Sequence, residues 1–347
     1  MGFRQSASYR LKKALRKLNS NWNSTYNSNR LKTDYSIDEH RGTDGQSIVG
    51  LSVEEYGRMG NSFLQSSNAL FLARSLRLPF IQLPKTELIK IDSPTEVSGL
   101  TFLPHDYDTS SLGLFLKGTF YTGPRMERLG IRMPLRRQVL QKYLVPAAHI
   151  LIPEPEPRGC LTIHIRSGDA FDARPHPDFS QPPLAFYKKM IEQARKELGI
   201  NRVRLVFEDR RNPCVGALET YIENSELTLL LQSGSLKEDL DVLLAARHLT
   251  FGYGSFGVGI CLLSIAAETV YVFGASGHAY NQFDHLNKVD AWDDVSGRYP
   301  DIGEWKASQE QLALMLNLPG CAIGKLEQRG FNYSKRPDWW IHPDEEL

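Results

Sequence analysis

The sequence predicts an α/β protein made of two Rossmann-like domains that face each other across a cleft. Short apolar segments with strand character alternate with helix candidates in both halves of the chain, which is typical of parallel sheets covered by helices. Three prolines at alternate positions, Pro153, Pro155 and Pro157, cannot lie inside a helix or a central strand and predict a stiff connector. The 347 residues are enough for two domains of ordinary size.

The first domain, residues 37–152, is predicted to begin with a βαβ unit. The segment Ser47–Val53 has the character of a strand, and the loop Tyr56–Asn61 follows it. Apolar residues then recur with helical spacing over Ser62–Leu76, and Leu78–Leu83 is a second strand candidate. Strand, glycine-containing loop, helix and strand in this order favour a parallel pair of strands.

The second domain, residues 158–310, repeats this alternation. Its predicted strands are Leu161–Ile165, Arg202–Phe207, His248–Phe251 and Val270–Phe273; its predicted helices are Leu184–Leu198, Leu236–Ala246 and Ile260–Ala267, the last preceded by a glycine loop over Gly252–Gly259. Residues 311–347 are predicted to hold a carboxyl-terminal helix and tail. We expect the helix Gln309–Leu318 to cross back to the first domain, and Trp339-Trp340 to pack the tail.

The composition is that of a soluble globular protein, with 41% hydrophobic and 23% charged residues. No run of about 18 apolar residues occurs, so we expect no transmembrane helix. The formal net charge of +1 argues against a general nucleic-acid binder. We therefore expect a cytoplasmic protein without a nucleic-acid partner.

Residues 1–36 are predicted to form a basic, flexible amino-terminal arm. Residues 1–33 hold eight Lys or Arg and no Asp or Glu. The start Met1–Ser6 fits the myristoylation pattern, although the bulky Phe3 favours an ordinary solvated tail. A weak contact of this arm with a membrane surface is therefore left open.

The four cysteines predict neither a disulfide framework nor a zinc ribbon. Cys160, Cys214, Cys261 and Cys321 are far apart in sequence, and none belongs to a C-x-x-C pair. Cys261 lies in an apolar run and is expected in the core. A reducing compartment is the simpler assumption.

The strongest chemical signal is His164-Ile165-Arg166-Ser167-Gly168-Asp169, which follows a short apolar strand candidate. Alternation with Ile163 and Ile165 puts His164 and Arg166 on one face of that strand. The planar guanidinium of Arg166 suits a phosphate, and Asp169 could orient it or take part in proton transfer. The alternative is a surface salt bridge at the end of a strand.

A glycine loop is the second signal, because Gly252, Gly254 and Gly257 match G-x-G-x-x-G between a strand and a helix. Backbone amides at a helix start bind anions. The loop comes late in its domain, and the next strand ends in Gly274 rather than in an acid, so we expect phosphate binding without NAD. An NAD-dependent oxidoreductase, or a loop that serves packing alone, stays as an alternative.

Three segments together resemble the fucosyltransferase superfamily, most closely the α-1,2-fucosyltransferases in pattern. Gly57-Arg58-Met59-Gly60-Asn61 is similar to its G-R-x-G-N loop, and His164–Asp169 to its H-x-R-x-G-D motif. The stretch from Ser235 to Phe256 is similar to its third region, and the three occur in family order. The resemblance implies a GT-B fold and an inverting, metal-independent transfer of fucose from GDP-fucose to a glycan acceptor.

The resemblance also implies roles for individual residues. Arg166 would hold the donor diphosphate with support from His164, and Gly254, Ser255 and Phe256 would form the phosphate loop. Gly60 and Asn61 would contribute to donor binding from the acceptor domain, and Glu208 or Asp209 would recognise guanine, since a carboxylate accepts from its N1 and N2 donors. Asp169 is the first candidate for the general base, with Glu54, Glu55 and Asp172 as alternatives.

Several departures from the family pattern leave the donor open. Ser167 stands where a basic residue is common, the loop after Phe256 lacks tryptophans, and Pro175–Pro183 is a proline-rich insert. A transferase for another GDP- or UDP-sugar therefore remains an alternative. So does a carbohydrate-binding protein without catalytic activity.

No metal site or bound cofactor is predicted. The D-x-D at Asp239–Asp241 is interpreted as a solvated helix face, and Asp290, Asp293 and Asp294 are expected in a loop. His278 and His285 do not have a convincing ligand spacing. Loops of the first domain such as Leu103–Ser110 are expected to contact the acceptor.

Overall fold

The computed structural model describes the backbone of residues 35–37 and residues 48–121, 131, 133–176, 180–274, 280, 282–299 and 304–326. The chain divides into two compact units, with the boundary between Leu151 and Ile152 at the start of the proline connector. Most of the predicted arm, part of the Pro175–Pro183 insert, His278 and Trp339-Trp340 lie outside the described residues. Within the described ranges, no helix combines the length and hydropathy needed to cross a membrane.

Unit 1 is built on a six-stranded sheet in the order β1-β6-β2-β3-β5-β4. Its strands are β1 (Tyr35–Ile37), β2 (Ile48–Val53), β3 (Phe80–Gln82), β4 (Thr95–Val97), β5 (Leu100–Leu103) and β6 (Leu114–Gly118). The four inner strands β6, β2, β3 and β5 run parallel, and the two edge strands are antiparallel to their neighbours. The arm predicted over residues 1–36 therefore ends earlier than expected, because Tyr35 already pairs with β6.

The described residues of this unit form two helical segments. Helix α1 (Met59–Ser75) begins three residues before the predicted start and connects β2 to β3. Helix α2 (Met133–Val139) continues through a π-helical turn (Leu140–Leu144) into Val145–Ala147. Almost all of α1 is buried, including a run of polar residues, so this helix lies in the core.

Unit 2 is built on a seven-stranded sheet in the order β13-β12-β11-β10-β7-β8-β9. Its strands are β7 (Cys160–Ile165), β8 (Arg202–Phe207), β9 (Thr228–Gln232), β10 (His248–Phe251), β11 (Thr269–Phe273), β12 (Lys288–Asp294) and β13 (Ile323–Lys325). All pairs are parallel except β12 with β13. Counted from β7, the parallel strands follow the order 3-2-1-4-5-6 of a doubly wound sheet, whose direction of winding reverses between β7 and β10.

The helices of unit 2 mostly connect these parallel strands. They are α3 (Leu184–Leu198), α4 (Cys214–Glu223), α5 (Leu236–Ala245), α6 (Ser255–Leu263) and α7 (Gln309–Asn317). Local sequence sets several of their ends: Ser235 and Glu238 form a capping box at the start of α5, and α3 ends at Gly199 in the left-handed conformation.

Two predictions about unit 2 are wrong. Helix α6 begins at Ser255 rather than Ile260, so the loop before it is only Gly252–Gly254. Asp290, Asp293 and Asp294 lie in β12 instead of a loop, and buried Asp290 is paired with Lys288 and Lys325. Helix α7 packs against α3, with Met315 in the unit 2 core.

Three of the four cysteines are buried as free thiols and Cys321 is exposed. Cys261 has no exposed surface, in keeping with its expected place in the core. Burial also raises the pKa of the Cys214 thiol to about 12, so this group is a core residue and not a nucleophile.

Candidate functional site

The candidate site lies at the carboxyl ends of β7 and β10, the two neighbouring strands at the switch point of unit 2. In open parallel sheets, ligands bind outside the strand ends at this point, because the connections from the two strands leave to opposite faces. The His164–Asp169 motif continues from β7, and the glycine loop continues from β10. The fold therefore brings together the two segments that the sequence singled out.

Arg166 is held in place from both ends. Its Nη2 donates to both carboxylate oxygens of Asp169, at 3.0 and 3.1 Å. Its backbone carbonyl accepts a hydrogen bond from Asn212 Nδ2 at 2.8 Å. The Arg166 side chain is 21% exposed, so the guanidinium is oriented by the protein but still reaches solvent.

Ser167 and Asp209 form a second contact between the ends of β7 and β8. The buried Ser167 hydroxyl donates to Asp209 and accepts from the Asn212 amide at 3.1 Å. Burial alone would raise the pKa of the Asp209 carboxyl, but hydrogen bonds from Arg211 and Ser167 outweigh it and hold that pKa well below its usual range. Asp209 is therefore an ionised anchor for the turn after β7.

Gly168 is required by this turn. Its φ is +54°, and a Cβ there would collide with the carboxylate of Glu208. The turn is fixed from the other side by buried Trp305, whose Nε1 donates to the Ala170 carbonyl at 2.6 Å. The exposed Glu208 thus lies beside the motif, as Asp209 does.

The start of α6 lies directly beside Arg166. The residue before the helix is Gly254, with φ +122° and no side chain to cap the first amides, and the first turn contains no acid. A Cβ added at Gly254 would be 3.7 Å from Arg166 Nη1. Phe256 in the first turn packs on the His164 ring, with 4.6 Å between centroids. A helix start with its positive end beside a guanidinium is suited to an anion with more than one charge.

The other two glycines of the loop serve packing. A Cβ at Gly252 would come within 2.9 Å of the Pro182 ring. At Gly257, inside α6, it would collide with Tyr280 and Phe251. Packing, one alternative for this loop, thus explains two of the three glycines, whereas Gly254 is required by its φ of +122° and lies beside Arg166.

Of the predicted site residues, unit 2 brings together His164, Arg166, Asp169, Glu208, Asp209, Gly254, Ser255 and Phe256. Gly60 and Asn61 belong to unit 1, in the first turn of α1. There, Asn61 Oδ1 accepts a hydrogen bond from the Tyr121 hydroxyl at 2.8 Å. Gly57, with φ +68°, lets the loop before α1 pass against the Asn61 side chain.

The aspartates that could resemble metal ligands have protein partners. Asp239 is buried, and its Oδ1 accepts from Gln232 Nε2 at 2.9 Å and from the Gly234 amide at 3.1 Å. Asp241 pairs with Lys237 one helical turn earlier. The interpretation of this D-x-D as a solvated helix face is therefore wrong for Asp239. Among the residues that the structure describes, no group of three or more His, Cys, Asp or Glu is placed to hold a metal ion.

Three residues that shape the site were not predicted from the sequence. Buried Asn212 holds the backbone of Arg166 and Ser167, Arg211 binds both Asp209 and Asp172, and Trp305 anchors the turn over Gly168–Phe171. Only Asn212 had a local signal, because Asn-Pro before an apolar helical run marks a turn, and Asn212 Oδ1 accepts from the Cys214 amide.

Comparison with known proteins adds no family to this description. No protein-family model matches the chain, and no curated protein matches its sequence. A functional assignment therefore rests on the motifs and the geometry described above.

Proposed function

We propose that this protein is an inverting glycosyltransferase of GT-B architecture that moves fucose from GDP-fucose to a hydroxyl of a glycan acceptor without a metal ion. The observation that carries the proposal is the position of Arg166, fixed by Asp169 beside the uncapped start of α6 at the unit 2 switch point. The choice of fucose and GDP rests on the sequence resemblance.

The residues present suit the departure of a diphosphate. In an inverting transfer, the acceptor oxygen attacks the anomeric carbon while the bond from that carbon to the β-phosphate oxygen breaks. GDP leaves with the electron pair, and the acceptor proton passes to a base. Negative charge develops on the leaving phosphate, where Arg166 and the amides of α6 would stabilise it.

The remaining residues receive roles by their contacts. His164, packed on Phe256, supports the loop that holds the phosphate. Both residues after β8 carry a carboxylate. Asp209 binds Ser167 and Arg211 and anchors the turn after β7, and we assign guanine recognition to Glu208 because it is exposed.

The candidates for the general base differ in their contacts. Asp169 orients Arg166 through both oxygens and its side chain is 39% exposed, so it stays the first candidate. Asp172 is bound by Arg211, whereas Glu54 and Glu55 lie in the exposed loop before α1 of unit 1. Gly60 and Asn61, at the start of α1, would contribute to donor binding from this unit.

A thermal-shift panel of GDP, UDP, CMP and NAD, each with and without EDTA, tests the proposal. A ligand at about 100 times its dissociation constant adds ~2.7 kcal/mol of stability, a rise of a few degrees for a chain of this size. We expect GDP alone to raise the melting temperature, equally with and without EDTA, and GDP-fucose then to be consumed with a glycan acceptor.

The other outcomes separate the alternatives. A response to UDP that EDTA abolishes would indicate a metal-dependent transferase for another sugar nucleotide. A response to NAD alone would favour the oxidoreductase. Stabilisation by none of the four would overturn the donor site and leave a carbohydrate-binding protein without catalytic activity as the better hypothesis.

A further inference from the structure

The segment Thr119–Tyr121, which follows β6 in unit 1, has a strained backbone. Phe120 is fully buried and has φ +49°, in the left-handed region that bulky residues avoid. Such a conformation persists only where the surroundings impose it, and it is concentrated at functional sites. In unit 1, β6 and β2 are the neighbouring parallel strands at the point where the winding reverses, so this strain lies at the switch point.

Buried polar side chains of α1 hold this segment. Gln65 Nε2 donates to the Thr119 carbonyl at 2.7 Å and to the Glu54 carbonyl at 3.1 Å, so it ties together the ends of β6 and β2. Asn68 Nδ2 donates to the Phe120 carbonyl at 2.8 Å. Both side chains are fully buried, where hydrogen bonds are strong and rigid.

Arg136 from α2 extends this network by binding side chains of α1. Its guanidinium donates to Asn68 Oδ1, and to Ser67 Oγ at 3.0 Å. Burial lowers the pKa of Arg136 to about 10, and the partners that the structure describes for it are these neutral oxygens. A buried cation is thus used to fix Asn68, and through Asn68 the strained Phe120.

The result of this arrangement is the position of Tyr121. Its hydroxyl donates to Asn61 Oδ1, and its ring lies 4.7 Å from the ring of Tyr56, at 39° between the planes. Tyr56 is 47% exposed and lies in the exposed loop that also carries Glu54 and Glu55. An aromatic pair with one exposed ring, that of Tyr56, beside an amide and carboxylates matches a pyranose, whose C–H face packs on the electron-rich ring while its hydroxyls bind polar groups.

We propose that the Tyr56–Tyr121 pair is the platform on which unit 1 binds a pyranose ring of the glycan acceptor. This inference rests on the proposed function and replaces the Leu103–Ser110 loop as the principal acceptor contact. That loop has its own exposed aromatic residue, Tyr107, and three of its carbonyls accept hydrogen bonds from Gln82, so it provides a rival position in the same unit.

Saturation-transfer NMR on the full chain tests the platform, with methyl β-galactopyranoside, methyl β-glucopyranoside and methyl N-acetyl-β-glucosaminide as probes. We expect saturation of the ring C–H hydrogens of at least one probe. In Tyr56→Ala its affinity falls about five- to tenfold, as the loss of one aromatic contact predicts. Tyr56→Phe, which keeps the ring, and Tyr107→Ala keep the wild-type affinity.

GDP affinity, measured by calorimetry on the same variants, separates this inference from the proposed function. Wild-type protein that binds a probe but not GDP would retain the platform and refute the donor site. The platform would be overturned by equal saturation in wild type and Tyr56→Ala, or by saturation of none of the three probes. Loss of saturation in Tyr107→Ala instead of Tyr56→Ala would also overturn it. A fall in GDP affinity in Tyr56→Ala would also contradict it, because the platform is assigned to the acceptor alone.

Discussion

Both units have a switch point beside the start of a helix, but different side chains stand there: charged ones in unit 2 and aromatic ones in unit 1. In unit 2, charged side chains stand at the edge of the sheet, and α6 behind them is apolar and buried from Gly257 to Leu263. In unit 1, polar side chains of α1 from Gln65 to Asn68 point into the core and hold the backbone, while tyrosines stand at the edge.

The difference shows how one topology can be adapted to different ligands. An edge with a guanidinium beside uncapped amides is suited to a phosphate, because both contribute positive charge. An edge with aromatic rings, held from the core by Gln65, Asn68 and Arg136, is suited to a sugar, which carries no charge. Under the proposed function, these are the donor diphosphate and the acceptor sugar.

The largest effect is expected from Arg166→Ala. It removes a charge-assisted contact worth ~1.5–3 kcal/mol, so GDP affinity measured by calorimetry falls roughly tenfold to a hundredfold. Arg166→Lys keeps the charge without the planar fork and recovers only part of the loss. Sugar binding to unit 1 does not change.

Arg210→Ala is the matched control for this experiment. Arg210 is exposed, bound to Glu219 at 2.7 and 2.8 Å, and follows Asp209 directly. It should leave GDP affinity unchanged. If both arginine variants weaken GDP binding equally, the effect is a general electrostatic one, and the assignment of the donor diphosphate to Arg166 loses its basis.

A second test addresses the packing that brings α6 to the edge. Gly257→Ala places a methyl group against Tyr280 and Phe251, and such overpacking costs about 1–3 kcal/mol. Gly216→Ala in α4 meets no atom within 4 Å and should instead stabilise the protein by about 0.5–1 kcal/mol. Urea denaturation of both variants measures the contrast, and a Gly257→Ala protein as stable as Gly216→Ala would show that the close approach is not needed.

Local signals in the sequence were sufficient for β7, β8, β10 and β11 and for helices α3, α5 and α7, whereas β9, β12, β13 and α4 were not predicted. The bounds of β8, β10 and α3 agree with the prediction to the residue, because apolar runs there are bordered by turn residues. The start of α6 was missed, since three glycines suggested a loop, whereas Gly257 is helical and packs against aromatic rings. Tertiary contacts of this kind override propensity and have no local signal.

The same limit applies to the candidate site. The motif on β7 and the glycine loop on β10 were identifiable, and the parallel order of the strands explains why they meet. The support from Asn212 and Trp305 comes from 46 and 135 residues away, and in unit 1 the Tyr121 contact with Asn61 spans 60 residues. Separations of this size are not encoded in a spacing that can be recognised in one sequence.

Asn68→Ala tests whether the buried network of Gln65, Asn68 and Arg136 holds the edge of unit 1. It removes the donor to the Phe120 carbonyl and an acceptor of Arg136, and leaving such buried groups unpaired costs about 1–3 kcal/mol. Hydrogen exchange at residues 119–121 should accelerate, while exchange in the strands of unit 2 is unchanged.

Asn224→Ala is the matched control for the network. Asn224 Nδ2 also donates to a backbone carbonyl at 2.8 Å, that of Thr220, but this residue is exposed. Its loss should change stability by no more than about 0.5 kcal/mol. Equal costs for the two variants would mean that burial adds nothing to the α1 network, and the strain at Phe120 would need another explanation.

The smallest expected effect is the pH dependence of the stability that Asp209 gives to unit 2. Because the folded-state pKa of Asp209 lies below its unfolded value, the ionised carboxylate stabilises unit 2 above the ordinary pKa of ~3.9, and this contribution is lost as the pH falls through the folded-state value. Asp209→Asn should therefore lower stability at pH 7 by at most about 1 kcal/mol, and the difference from wild type should shrink in acid.

Asp241→Asn, which removes an exposed helix pair with Lys237, is the control and should cost only a few tenths of a kcal/mol. Denaturation at pH 7 and near pH 3 measures both. A difference for Asp209→Asn that does not change with pH would mean that the turn after β7 depends on the shape of this side chain rather than on its charge, and the contrast with the aromatic edge of unit 1 would then rest on Arg166 alone.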